Sequence, residues 1–458
     1  MTRGVCGVVL SSVFLICSTA LSHAEDLLGA EQLGSKSGSR PGKTDPVNPG
    51  YRSIFRDDEL LLMIGRPDIN QMSYQSFSPA TSDLKQWNLD SKTSRTFQPS
   101  EFSGLPQVPT ARGRITSHES DQTVYILQEP GSEAAAGVEL WDSVTGERRN
   151  HWIKLDDGGQ SPYRSYSFVD VAVGDMDLAT EEIDGGDCYH DEVAVVLSKG
   201  DDKTVLVILD YHAFDGSTND PLARIEIDRP GDGGNKKFAA VAMGDFNNDG
   251  YQDVALAHAT DWEEMQLCIY RFAFDTDDDG NHVLKNPLEL ERVAQYQWAP
   301  LSGINGLDVA VGDFAFAGHD QVAVVDTSRE ELFIFDVVDD QLKQKYAVKR
   351  FANSFDKVRL LSGLFMFDGA DGWYNTRRRQ LMVVGQYANK LWVEMLEITS
   401  DWKVNTVSSS SVSPSGTLLD TWDATVGNFK GHTEDNEAQR TIGGRLRRDN
   451  RQNIYSLL

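Results

Sequence analysis

One frame recurs along this chain and governs what it can fold into. A run of small and β-branched residues closes on a glycine and an acid, a polar turn follows, and a second such run leads out. The fullest copy lies between Phe238 and Thr260, where Val241-Ala-Met-Gly244-Asp245 passes through Phe246-Asn247-Asn-Asp249-Gly250-Tyr251-Gln-Asp253 into Val254-Ala-Leu-Ala257. Sister copies are Val169-Asp-Val-Ala-Val-Gly174-Asp175-Met-Asp177 with Asp191-Glu192-Val-Ala-Val-Val196, and Leu307-Asp-Val-Ala-Val-Gly312-Asp313 with Asp320-Gln321-Val-Ala-Val-Val325. Weaker copies stand at Gly363 with Gln380 to Val384, at Ala424-Thr-Val-Gly427-Asn428, and at Gly113 ahead of Gln122. The flanks read as strands rather than helical faces, because small and β-branched residues alternate between Asn, Asp and Gly turns.

Taken as anchors, the six glycines lie 51 to 70 residues apart. Further strand-like runs fill each interval, among them Gln266 to Phe272, Glu331 to Asp336 and Lys390 to Ile398. A period of that length with about four strands suits a propeller blade. One blade cannot bury both faces of its small sheet, so neighbours must stack around an axis. The expected fold is therefore all-β, a β-propeller of six or seven four-stranded blades occupying residues 51–458. The last copy runs out of strand after Asn428, where the chain turns polar and basic. Either the strand-like runs near 59–98 complete that blade and close the ring, or the chain falls short of a full repeat set.

The loop from Asp245 carries chemistry. Oxygen side chains stand at relative positions 1, 3, 5 and 9 (Asp245, Asn247, Asp249, Asp253), with Gly250 at 6 and the Tyr251 carbonyl at 7. Such a set can converge on Ca²⁺, which takes six to eight oxygens. No Glu follows at position 12 and the flanks are strands, so an EF-hand is disfavoured. The alternative is a metal-free hairpin turn rich in Asn and Asp. The loop from Asp175 keeps Asp175, Asp177 and a terminal acid, Asp191 or Glu192, around an insertion bearing Asp184 and Asp187. Asp175, Asp177, Asp187 and Glu192 form a second candidate calcium set. The loop from Asp313 offers Ala315, Ala317 and Gln321 at the corresponding positions and should be free of metal.

The block from Val241 to Ala255 resembles the FG-GAP repeat, also called the VCBS or integrin-α-like repeat. The resemblance implies a β-propeller with calcium in some of its hairpins, and it implies seven blades where the spacing of this chain fits six.

Arg3 precedes an apolar run, Val5 to Cys17, and Ser22-His23-Ala24 follows, which reads as a signal peptide over residues 1–24. Residues 25–50 are rich in Gly, Ser, Lys and Pro and should form a disordered leader. The run from Val5 to Cys17 is too short to span a membrane, and no later one reaches the length needed. A secreted protein is expected, extracellular or periplasmic, acting as a monomer. The net charge of −27 argues against nucleic acid and anionic membranes as partners. Beyond the signal stand Cys188 and Cys268, which could pair or remain apart, Cys268 as a buried thiol.

No GxSxG, HExxH, GxGxxG or CxxC pattern occurs. Repeats consume nearly the whole chain, which favours a non-catalytic recognition or adhesion module for a protein or glycan ligand. Trp262, Trp298, Trp373 and Tyr374 could stack on sugar rings, or pack in the core. The competing expectation is a secreted carbohydrate-active lyase or hydrolase built on a propeller scaffold. Two or more inward acids or histidines in contact at the ring axis would favour the enzyme.

Overall fold

The computed structural model describes strands and adjoining turns between residues 59 and 427; residues 1–58, 428–458 and internal stretches including 97–108, 154–165, 229–237, 299–306, 364–379 and 413–421 lie outside the described residues. The signal and leader expectations fall in that outer part, as do Trp262, Trp373, Tyr374 and Asp184.

Six four-stranded antiparallel sheets make a six-bladed propeller. Blade 1 combines β1 (Glu59–Arg66), β2 (Gln71–Pro79) and β3 (Trp87–Thr96) with the last strand of the chain, β28 (Trp422–Gly427). Blade 2 holds β4 (Thr110–Gly113), β5 (Gln122–Leu127), β6 (Ala136–Trp141) and β7 (Arg148–Ile153). Blade 3 holds β8 (Tyr166–Gly174), β11 (Glu192–Lys199), β12 (Lys203–Leu209) and β13 (Ala223–Asp228), with a small hairpin of β9 (Thr180–Ile183) and β10 (Gly186–Tyr189) inserted between its first two strands. A single helical turn, α1 (Tyr211–Asp215), follows β12.

Blade 4 holds β14 (Ala239–Gly244), β15 (Asp253–Asp261), β16 (Glu264–Phe272) and β19 (Leu290–Trp298), with the hairpin β17 (Phe274–Thr276) and β18 (His282–Leu284) between the last two. Blade 5 runs β20 (Leu307–Gly312), β21 (Gln321–Asp326), β22 (Glu331–Val338), β23 (Gln341–Ala347). Blade 6 runs β24 (Lys357–Gly363), β25 (Gln380–Tyr387), β26 (Lys390–Ile398), β27 (Val404–Val412). The ring closes where β28 pairs with β1, from Glu59 opposite Gly427 to Ile64 opposite Trp422. The N-terminal strands thus complete the blade begun by the last copy, and there is no seventh blade among the described residues.

The core is divided among the interfaces between blades. Val124, Ile126 and Val138 of blade 2 meet Val171, Val193 and Val195 of blade 3. Ala194, Val196 and Leu206 of blade 3 meet Val241, Leu256 and Cys268 of blade 4. Equivalent clusters join blades 4 and 5, 5 and 6, 6 and 1, and 1 and 2. Alternate residues of one strand therefore feed two different cores, which is why the middle strands read as near-continuous Val, Ala and Leu. Each fully buried Val or Leu contributes about 1.5–3 kcal/mol relative to exposure. Cys268 is a buried free thiol in one of these interfaces.

The innermost strands β28, β4, β8, β14, β20 and β24 neighbour one another around the axis. At Gly113, Gly174 and Gly244 the terminal glycine is a steric necessity. A Cβ on Gly244 would stand 2.1 Å from Val311 Cγ1 of the next blade, and one on Gly113 2.1 Å from Val173 Cγ1.

Candidate functional site

The first and second strands of blades 2 to 6 are paired in one common register. Opposite each anchor glycine stands the first residue of the second strand, here called the closing residue: Gln122, Glu192, Asp253, Gln321 and Gln380. Its chemistry divides the loops. In blades 2 and 5, where it is Gln, the amide ties the loop to itself. Gln122 Oε1 accepts from the N–H groups of Ile115 (3.2 Å) and Thr116 (2.7 Å), and Nε2 donates to Thr116 Oγ1 (2.6 Å). Gln321 Oε1 accepts from Ala315 N–H (3.0 Å) and Nε2 donates to the His319 carbonyl. An amide supplies both a donor and an acceptor, so these loops satisfy themselves without a cation.

In blades 3 and 4 the closing residue is a carboxylate, which can only accept when ionised. Glu192 Oε2 accepts from Met176 N–H (2.6 Å). Oxygens of Asp175, Asp177 and Glu192 all lie within 4.8 Å of one another, the one such acidic group among the described residues. Asp175 and Glu192 are each 2% exposed, and burial followed by the neighbouring charges of Asp177 and Asp175 pushes the Glu192 carboxyl well above its ordinary range. Ligand oxygens on opposite sides of Ca²⁺ stand about 4.8 Å apart at the usual 2.3–2.6 Å bond lengths, so this all-oxygen group fits a hard dication. Asp187 lies in β10, in backbone register with Glu182.

The regular loop of blade 4 is arranged differently. Asp245 Oδ1 and Oδ2 accept from the N–H groups of Asp249 (3.1 Å) and Gly250 (3.0 Å). Asn247 Oδ1 accepts from Asp249 N–H, its Nδ2 donates to Asp249 Oδ2, and Asp249 Oδ1 accepts from Tyr251 N–H. Asn248 and Gly250 both adopt left-handed backbone, φ 58° and 94°, and the Tyr251 ring meets Phe274 of β17 edge-on. Asp253 Oδ2 is 3.1 Å from Arg271 Nη2. Burial raises Asp245 to about 7, helped by Asp249 and Asp320, and raises Asp253 to about 8 against the pull of Arg271. The donors are all oxygen and suit Ca²⁺ by type. Asp245 and Asp249 spend lone pairs on the loop itself and Asp253 spends one on Arg271, and each keeps others.

The loops are also stitched to one another. Gln252 N–H donates to the Asp175 carbonyl (2.9 Å), Asp320 N–H donates to the Asp245 carbonyl (2.9 Å), and Asp320 Oδ2 accepts from Asp245 N–H (3.0 Å). A His190 ring nitrogen reaches the Ile115 carbonyl. Fixing one loop therefore braces its neighbour.

A third cluster fills the axis, and the sequence reading missed it. Arg359 of blade 6 reaches carboxylates of blades 3, 5 and 1: Nη2 to Asp170 Oδ1 (3.2 Å), Nη1 to Asp308 Oδ1 (2.9 Å) and Nε to Asp423 Oδ1 (2.6 Å). The remaining oxygens of these carboxylates accept from Val241, Leu360 and Thr110 N–H, each on the next blade's inner strand. All four ionic residues stand four places before their anchor glycine. That shared register is the signal that could have found them. Burial opposes charge on Arg359, but Asp308, Asp423 and Asp170 outweigh it and hold the guanidinium protonated, while burial lifts Asp423 to about 6. Lys357 bonds to the Trp422 carbonyl beside this cluster.

Of the aromatics proposed for stacking, Trp298 is half-buried and packs on Phe333 and Phe335 of the next blade, at 5.8 and 6.0 Å between ring centroids.

No protein-family signature matches the chain, and no curated protein does. Among solved structures it is similar to AofleA from Arthrobotrys oligospora at 10% identity and TM-score 0.41, covering 82% of this chain and 96% of that one. It is also similar to the fungal lectin from Aleuria aurantia, described as a six-bladed β-propeller with a novel fucose recognition mode, at 8% identity and TM-score 0.38 over 79% and 98% of the two chains. A third is the exotype rhamnogalacturonan lyase YesX, at 13% identity and TM-score 0.32 over 79% of each. At such identities the likeness concerns the strand-and-ring architecture and carries nothing about ligand or activity.

Proposed function

We propose that this chain is an exported, calcium-stapled β-propeller that serves as a recognition or adhesion module for a protein or glycan ligand. The observation that carries the non-catalytic reading is the axial cluster. The inward acids that an enzyme would present to a substrate, Asp170, Asp308 and Asp423, are 1–3% exposed and held by one guanidinium. They span blades instead of lining a cavity open to solvent. Calcium is supported by the oxygen-only loops of blades 3 and 4, whose carboxylates stand where other blades place glutamine. A dication there would neutralise acids that burial leaves costly to ionise, and would staple loops that brace their neighbours. The FG-GAP resemblance and the signal-like N-terminus point the same way.

The test is binding of the purified mature chain to a glycan array and to extracellular-matrix proteins, in calcium and in chelator. Calcium-dependent retention of a defined ligand is the expected result. Turnover of a polysaccharide with no retained ligand would overturn the reading in favour of a lyase or hydrolase.

A further inference from the structure

In blades 2 to 6 the sheet register, carried one step past the last pair of the second and third strands, sets one residue in or just past the third strand beside the closing residue. In four blades it is acidic, namely Asp142, Asp210, Asp336 and Glu397. Blade 4 inverts the charge with Arg271.

The guanidinium bridges two carboxylates that belong to different blades. Nη2 is 3.1 Å from Asp253 Oδ2 inside the loop and 3.2 Å from Asp340 Oδ1 on the turn between β22 and β23 of blade 5. The two partners are unlike: the Asp253 side chain is 3% exposed and that of Asp340 58%. Asp339 and Asp340 hold φ 54° and 55°, so a tight two-residue hairpin turn presents Asp340 at this spot.

Asp253 is also one of the oxygen ligands that the loop offers to a dication. A guanidinium in contact with it repels any such ion across a few ångströms of partly desolvated protein, where like charges interact strongly. Arg271 and a cation therefore compete for one carboxylate, and Asp340 offers the guanidinium somewhere to go.

We propose that Arg271 is an internal competitor for the calcium loop of blade 4 and a latch to blade 5: calcium takes Asp253, and Arg271 is left paired with Asp340 alone. This rests on the calcium reading above and adds regulation to it. In blade 3 the corresponding residue is Asp210, a carboxylate, so the two acidic loops fill in order, blade 3 at lower calcium and blade 4 at higher.

The test is calorimetric titration of the full chain with CaCl₂, alongside hydrogen exchange of the turn at residues 338–341. Arg271→Met should tighten the weaker of two calcium steps about tenfold, and Asp340→Asn should weaken that step about threefold, because the displaced guanidinium has lost its second partner. Asp339→Asn removes a like charge one residue away and should leave both steps unchanged, and Arg271→Lys should stay near the native chain. Structural damage would weaken binding in both leading variants, so the opposite signs are diagnostic. An Arg271→Met chain with an unchanged or weaker second step, or an Asp340→Asn chain with a tighter one, overturns the latch. If Arg271→Met does not fold, the exposed turn pair Asp339→Asn and Asp340→Asn carries the comparison alone. A native chain that takes up no calcium at all sinks the calcium reading and the latch together; two calcium steps indifferent to Arg271 and Asp340 sink only the latch.

Discussion

Replacing Arg359 by Met should expose how much of the ring depends on its axis. The side chain is removed from three carboxylates, Asp170, Asp308 and Asp423, each 3% exposed or less. Lys357 is close enough to compensate one of them, and its own pKa is lowered to about 8 by burial. Any other carboxylate that stays buried must take up a proton. Asp423 and Asp308 already stand at about 6 and about 7 in the native fold. Against the native chain each held proton therefore costs about 1.36 kcal/mol for each pH unit above those values, hence about 1.4 to 2.7 kcal/mol per carboxylate at pH 8 and almost nothing at pH 5.

The sign follows from proton counting. In the variant the folded state still holds these protons where the native acids have released them, so above about pH 6 its stability keeps falling with rising pH while that of the native chain levels off. Urea unfolding followed by tryptophan fluorescence at pH 5 and pH 8 measures it. A native-minus-variant difference larger by about 1.5–3 kcal/mol at pH 8 than at pH 5 is expected. A difference independent of pH would refute the claim that the guanidinium holds ionised acids at the axis.

Gly244→Ala should destabilise by about 1–3 kcal/mol through overpacking, since its methyl would press on Val311 Cγ1 and Asp320 Oδ2; thermal melting checks it, and an unchanged midpoint would mean that the inner strands are not packed this closely. Glu192→Gln converts the closing residue of blade 3 to the glutamine that blades 2, 5 and 6 use. The amide oxygen can still accept from Met176, so the melt in chelator should be unchanged or higher while the calcium stoichiometry drops by one; full native stoichiometry would remove that loop from the metal set. A chain ended at residue 421 lacks β28, leaves Leu60 and Leu62 without their partner strand, and should aggregate on refolding. A soluble, cooperatively melting product would show that closure is dispensable.

The frame around each glycine was legible because two constraints act on the same few residues. The inner strand must be β-forming, and its neighbours crowd close enough to demand Ala, Val and Gly. The reason for the glycine itself was not legible, since the methyl it avoids belongs to a residue some 70 positions on, as Gly244 and Val311 show. The choice between six blades and seven turned on whether strands near 59–98 join the last copy, a pairing that local pattern cannot express. Loop chemistry divided likewise. The oxygen spacing from Asp245 to Asp253 is a local signal, whereas Arg271 reaches that loop from an adjacent strand and Asp340 from another blade. In blade 3 the insertion hides the spacing, yet the sheet register returns Glu192 to the place opposite Gly174. Register preserved a contact that counting along the chain loses.

Because β28 and β1 share one sheet, the first strand to be made waits for the last. Until translation has delivered the final blade, the apolar inner face of the earliest one has no permanent cover, and the chain presents an unfinished edge to whatever surrounds it. Once joined, Glu59 and Gly427 lie side by side, so new termini could be cut between any two blades of a circularly permuted chain while the same six interfaces form. Such a permutant would move the point of late assembly to a different blade and leave the finished circle as it was.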